Sequence, residues 1–219
     1  MEIAEAIRKR TKPSFSISIK LNSVEFQDEG IQPEEAKDLC AMLEENGFDF
    51  VELSGGTYQQ LAFEHKRDST RRREAFFIEF AELIAPALKK TKVYLTGGFK
   101  TVGGMVKAMS FVDGIGLGRP VCQEPRLPRD ILDGKVKGST QLRFDENDFG
   151  TRLIAAGTHI QQMGKDHEPI DLSNEENCNA FMKDMGVWYE KMSTDSDMKH
   201  QAYVDIVSVP SMPYGTVSA

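Results

Sequence analysis

The residues of this sequence best suited to chemistry are two glycine-rich turns, an arginine that ends one of them, and a lysine inside an alternating segment. The segment DGIGLGRP covers 113–120 and TGGF covers 96–99. The spacing in DGIGLGRP is not a dinucleotide fingerprint, because Arg119 stands where GxGxxG needs its last glycine and no first βαβ unit opens there. Two readings of it remain. The glycines could simply permit close packing in a crowded sheet. Alternatively, the amides around Gly118 and the guanidinium of Arg119 could hold a phosphate, whose oxygens match a bidentate arginine. Gly97 and Gly98 have the same two options, since glycine lets backbone N–H groups approach an anion closely. Phosphate sites formed after the seventh and eighth strands recur in (β/α)8 barrels, so two anion-competent turns on consecutive strands favour the phosphate reading. Lys20 in SIKLN could point to solvent. If its strand is covered on both faces, the lysine instead faces the ligand rim, where it could neutralise an anionic ring system.

Alternating units position these residues. FSISIKLN (15–22) reads as a strand and IQPEEAKDLCAMLEENG (31–47) as a helix. Pro33 suits the first turn of that helix, Glu34 and Glu35 favour its N-terminal dipole, and Gly47 reads as its stop. FDFVELSGG (48–56) is a second strand, and RREAFFIEFAELIAPALKK (72–90) a helix whose last turns Pro86 should kink or shorten. KVYLTGG (92–98), TVGGMVKAMS (101–110), DGIGLG (113–118) and PRLPRDILDG (125–134) continue the strand–helix series. Four such units predict an α/β fold with a parallel sheet whose ligands lie at the carboxyl ends of the strands. After Ser139 the repeat stops. GTRLIAAGTHIQQMG (150–164) and SNEENCNAFMKDMGVWYEKM (173–192) read as two further helices, the second with a capping box from Ser173 and Glu176. Residues 193–219 are Ser/Pro/Thr-rich and are expected to be a disordered tail.

Composition narrows the function classes. A hydrophobic fraction of 40% and a charged fraction of 28% are those of a soluble globular protein. A net charge of −7, with no long basic run, argues against nucleic-acid partners. No apolar run reaches membrane-spanning length, and the N-terminus lacks a secretory apolar core. Cys40, Cys122 and Cys178 are far apart and odd in number, so neither a metal site nor a disulfide framework is indicated. A reducing, cytoplasmic setting is expected. His65, His159, His167 and His200 read as surface or loop histidines.

The segments FSISIKLNSVEFQDEG, GFDFVELSGGTY, REAFFIEFA, VYLTGGF and DGIGLGRP…EPRLPRDIL.G together resemble the old yellow enzyme family of FMN-dependent NADH:flavin oxidoreductases, in particular its fungal members. The resemblance runs from about Phe15 to Gly134 and more weakly to Met192. It implies the C-terminal half, strands five to eight, of a TIM (β/α)8 barrel over 1–138, a helical extension over 139–192 and the tail beyond. It implies FMN as cofactor and NAD(P)H as reductant, with hydride passed on to an electron-poor alkene. Lys20 falls where the family sets a cation against the flavin pyrimidine edge. Gly97 and Gly98 fall in the seventh-strand turn at the FMN phosphate, and Gly118 and Arg119 in the eighth-strand clamp. The family's substrate-carbonyl grip and tyrosine proton donor belong to its first half and have no counterpart here, so no catalytic residue is assigned. The chain is therefore expected to be truncated and inactive alone, and its open sheet edges to invite self-association. The alternative is a non-catalytic remnant or partner half-barrel that binds FMN or another phosphate ligand weakly.

Overall fold

The computed structural model describes residues 1–23, 30–55, 77–146, 148–197, 199 and 202–216. It divides into two units, Met1–Gly118 and Arg119–Ala219.

The first unit is built on a parallel sheet of four strands in chain order: β1 (Ser18–Asn22), β2 (Phe50–Ser54), β3 (Lys92–Thr96) and β4 (Gly114–Gly116). Its register places Lys20 opposite Glu52, Glu52 opposite Tyr94 and Tyr94 opposite Gly114; Thr96 faces Gly116. Because side chains alternate along a strand, one face carries Val51, Leu53, Val93 and Leu95, all fully buried. The apolar stripes of α2 (Pro33–Glu45) and α3 (Ile78–Ile84) are buried with them: Ala36, Cys40 and Leu43 from the first, Ala81 and Ile84 from the second. The opposite face carries Lys20, Glu52, Tyr94, Thr96 and the strand glycines, and is far more open.

Local signals explain the element ends. Pro33 opens α2, and a capping box joins Gln32 to Glu35, whose carboxylate accepts the Gln32 N–H at 2.9 Å. Gly47 closes it at φ 74, a conformation that glycine adopts freely. Pro86 turns the end of α3 into a single 3-10 turn, Ala85–Ala87, so this helix stops short of the expected residue 90; residues 72–76 lie outside the described residues. α4 (Val102–Ala108) is capped by Thr101, whose hydroxyl accepts the Gly104 N–H at 3.1 Å.

Carboxylates pin the amino ends of the strands. Glu44 accepts three consecutive amides, from Lys89, Lys90 and Thr91, at 2.6–2.8 Å. Asp49 accepts the Ile17 N–H at 2.7 Å and pairs with Arg8 of α1 (Glu2–Arg10) at 2.8 Å. Asp113 accepts from the Val93 N–H and from Lys92.

The second unit contains α5 (Arg119–Gln123), α6 (Leu127–Leu132), α7 (Phe149–Gly164) and α8 (Glu175–Thr194). Its core joins Ile154 and Ala155 of α7, Phe181 and Met185 of α8, and Ile170, Leu172 and Val204. Asn174, not Ser173, caps α8: the Asn174 side chain accepts the Asn177 N–H, while the Ser173 hydroxyl donates to Asp171 at 2.6 Å. The cap therefore lies one residue later than the expected Ser173, at Asn174.

Within the segment expected as a disordered tail, three described residues pack against the core of the second unit. Val204 is fully buried, and Ile206 and Val209 lie on the same core. Asp184 accepts the N–H groups of Val207 and Ser208 and the Ser208 hydroxyl, at 2.6–2.9 Å. His159, expected at the surface or in a loop, is 1% exposed within α7. Burial pushes its pKa down to about 4, against the opposing pull of the Ile170 carbonyl and Asp171. His167 forms a bridge to Pro213, and His65 and His200 lie outside the described residues. Among the described residues no helix is long and apolar enough to cross a membrane.

Candidate functional site

The candidate site grows out of the open face of the sheet and the carboxyl ends of its strands. Lys20 lies in the middle of β1 on that face, with its side chain 53% exposed. It does not stand alone: its ammonium donates to Oε1 of Glu52 at 2.5 Å. The same carboxylate oxygen accepts the Thr96 hydroxyl at 2.7 Å. Burial raises the pKa of Glu52, but the hydrogen bonds from Lys20 and Thr96 outweigh it, so the net shift is downward and the group is a carboxylate at neutral pH.

Two glycines of β4 make room for this layer. A Cβ on Gly116 would lie 1.8 Å from the Thr96 hydroxyl, and one on Gly114 would lie 2.3 Å from the Tyr94 ring. This is the close-packing reading of GIG, and for Gly114 and Gly116 it is correct. Gly118 differs. A Cβ there meets nothing within 4 Å, and its backbone is not in the left-handed region, so neither packing nor conformation calls for glycine. The physical content of Gly118 is open room above an exposed strand end.

Thr96 and Gly116 are register partners, so the chain leaves β3 and β4 side by side. Gly97 and Gly98 follow immediately, with φ of 151 and 72. Backbone in that region exposes amides at angles that a residue with a Cβ adopts only under strain. Arg119 opens α5 in the second unit and is exposed. Nearby atoms still lower its pKa through desolvation, against the pull of Glu146 and of Cys122. Arg152 of α7 responds more strongly: desolvation, then the neighbouring Arg119 charge, push it down to about 10.

Of the residues singled out in the sequence, the first unit thus brings Gly97, Gly98 and Gly118 to one end of the sheet. It sets Lys20 on the open face, one layer below the Thr96–Gly116 pair. Sequence reasoning missed Glu52 and Thr96. The alternation in FDFVELS placed Glu52 on the same face as a strand lysine, but only the register pairs it with Lys20. The chemistry of this set suits a phosphate-bearing ligand at the glycine turns and a polar ring edge near Lys20. The ring edge would meet a cation already paired with a carboxylate.

Comparison with known proteins gives this arrangement its context. No protein-family model matches the chain. It is 43% identical over 197 residues to the NADH-dependent flavin oxidoreductase nadA of Aspergillus parasiticus, covering 89% of this chain and 44% of nadA. It is 33% identical over 160 residues to the NADH-dependent flavin oxidoreductase iccE of Talaromyces variabilis, covering 65% of this chain and 37% of iccE. With iliE of Hypocrea jecorina, which carries the same description, identity is 29% over 176 residues, 75% of this chain and 41% of iliE. The chain therefore spans less than half the length of these curated relatives. A 2-naphthoyl-CoA reductase in complex with 2-naphthoyl-CoA, of TIM-barrel type, superposes with a TM-score of 0.51 at 20% identity. That match covers 61% of this chain and 20% of the reductase, and shows the fold alone. Likeness along most of its own length to less than half of each relative supports an old yellow enzyme-like family, that of the NADH-dependent flavin oxidoreductases, for this chain.

Proposed function

We propose that this chain is the cofactor-phosphate half of an FMN-dependent NADH oxidoreductase, its four strands being strands five to eight of a (β/α)8 barrel. When bound, FMN supplies hydride transfer between NADH and an electron-poor alkene. The chain's own residues hold the cofactor. Gly97, Gly98 and Gly118 offer backbone amides to the phosphate, and Arg119, next in sequence, offers a guanidinium. Lys20 offers an ammonium to the flavin ring edge. No catalytic side chain is assigned.

One observation supports the reading most directly: β3 and β4 are adjacent and parallel, and their glycine turns leave the same end of the sheet. Phosphate-binding turns of barrels occupy this position, after consecutive strands at the carboxyl rim. The two outer strands of the sheet, β1 and β4, support the further reading that the chain associates through its edges, with a second copy or a complementary half. Light scattering reads this out: a dimer or larger species supports it, and a stable monodisperse monomer overturns it.

The test of cofactor binding is titration of FMN by fluorescence quenching. Wild-type chain is expected to bind, and Arg119→Ala to bind about tenfold to a hundredfold more weakly, the loss of a charge-assisted hydrogen bond of about 1.5–3 kcal/mol. Absence of FMN binding overturns the cofactor reading; binding that Arg119→Ala leaves unchanged makes Arg119 structural.

A further inference from the structure

Lys20, Glu52, Thr96 and Gly116 come from four different strands and meet on one face. Lys20 donates to Glu52 at 2.5 Å, Thr96 donates to the same oxygen at 2.7 Å, and Gly116 leaves the space in which that hydroxyl stands. Stability does not account for the arrangement. The side chains of the pair are 53% and 32% exposed, and such pairs contribute only about 0–1 kcal/mol. Nor does a surface ion pair need a hydroxyl from a third strand or a glycine on a fourth. What the arrangement does achieve is geometric. A lysine stem has four rotatable bonds, and the ammonium is otherwise free to roam. Tied to Glu52, it keeps one direction, and among the described residues Glu52 is the hydrogen-bond partner of its three-donor ammonium. The carboxylate also cancels the lysine's charge, so an approaching ring edge meets donors rather than a full cation.

We propose that Glu52 is a positioning residue of the flavin site, steered by Thr96, which fixes the Lys20 ammonium toward the ring edge and offsets its charge. The proposal rests on the cofactor reading above for the identity of the ligand, but not for the tie between the residues. Two readouts therefore separate the two. The first needs no flavin: the rate at which acetic anhydride labels Lys20, followed by mass spectrometry with other exposed lysines as internal reference. Glu52→Gln and Thr96→Val are each expected to speed Lys20 labelling roughly two- to fivefold, the equivalent of a lost exposed pair. Thr96→Ser, which keeps the hydroxyl, is expected to restore the wild-type rate. Circular dichroism confirms that the variants are folded; should Glu52→Gln unfold, the Thr96 pair carries the same comparison. Unchanged labelling in folded Glu52→Gln, or in Thr96→Val where Glu52→Gln does not fold, overturns the proposal.

The second readout is the affinity ratio for reduced over oxidised FMN, obtained from the midpoint potential of the bound cofactor. Removing one negative charge from beside the ring favours the anionic reduced form, so Glu52→Gln is expected to raise the ratio roughly tenfold. Lys20→Met is expected to lower it, and the double variant to return toward wild type. A ratio that Glu52→Gln does not move refutes the charge-offsetting role. Wild-type chain that fails to bind FMN refutes the cofactor reading instead, while the labelling result still decides whether Glu52 and Thr96 hold Lys20.

Discussion

Both units place carboxylates and hydroxyls against lysines, arginines and backbone amides, yet the same groups do different work. In the second unit they are buried and turned onto the backbone: Asp184 holds Val207 and Ser208, Gln162 accepts the Ile170 N–H at 3.0 Å, and Glu168 accepts the Gly215 N–H while forming a two-point pair with Arg126. On the open face of the first unit, Glu52, Lys20 and Thr96 turn onto one another and stay accessible. Polar groups that serve the fold spend their hydrogen bonds on the main chain, and losing them unfolds something. Polar groups kept for a ligand leave capacity unused, and losing them changes binding more than stability. Variants in the two places should separate along that line.

The largest effect is expected at Asp184. Burial alone would raise its pKa, but the Ser208 hydroxyl and two amides hold it below the ordinary carboxylate range. Asp184→Ala removes three acceptor contacts and strands two amides beside a core, which should destabilise the chain by about 3 kcal/mol. Urea unfolding measures the loss. Limited proteolysis should find new cleavage within 202–216, because those amides tie that segment down. A variant that unfolds at the wild-type urea concentration would place Asp184 outside the structural group.

His159 gives an effect of similar size, resolved by pH. In the folded chain its pKa is pushed down to about 4, while in the unfolded chain it lies near 6.5. Between those values the unfolded chain binds the extra proton. The stabilisation from keeping His159 neutral is therefore complete above about pH 6.5 and is lost as pH falls toward 4, by about 3 kcal/mol over the window. His159→Leu should flatten that part of the curve. An unchanged slope between wild type and variant would show that other groups carry it.

These contrasts mark where the sequence was readable. The long helices were visible because 150–164 and 173–192 repeat apolar residues at helical spacing, and α7 and α8 lie there. The parallel strand series followed from the alternating units, whereas the choice for Lys20 between solvent and the ligand rim stayed open, because alternation in SIKLN does not say what covers each face. The pairing of Lys20 with Glu52 was not readable, since it depends on a register between strands 32 residues apart. The packing of 202–216 was hidden for a related reason. That stretch has no periodicity, and what fixes it are Asp184 and Glu168, partners distant in sequence whose choice is tertiary. His159 was misjudged because one histidine in a helix carries no sign of which face it occupies.

A smaller effect is expected at Gly116. A Cβ there would stand 1.8 Å from the Thr96 hydroxyl, so Gly116→Ala must rotate Thr96 away from Glu52 or push β4 outward. The penalty is about 1–3 kcal/mol if the backbone moves and less if the hydroxyl swings aside. Thr96→Ala in the same background distinguishes these outcomes: it should relieve the clash and recover most of the loss. No recovery would locate the strain in the strand itself.

The smallest stability effect should come from Lys20, and this one bears most on the comparison. Its partner is about one-third exposed and its own side chain about half, and solvent screens such a pair, so Lys20→Met should change unfolding free energy by less than about 1 kcal/mol. The same substitution removes the cation proposed above for the flavin ring edge. It should weaken reduced FMN binding roughly tenfold relative to oxidised FMN, by the charge argument applied to Glu52 with the opposite sign. A large loss of stability with no change in that ratio would move Lys20 into the class of Asp184, as a residue kept for the fold. Near-wild-type stability with a changed ratio would keep the open face apart as the part of the sheet reserved for a ligand.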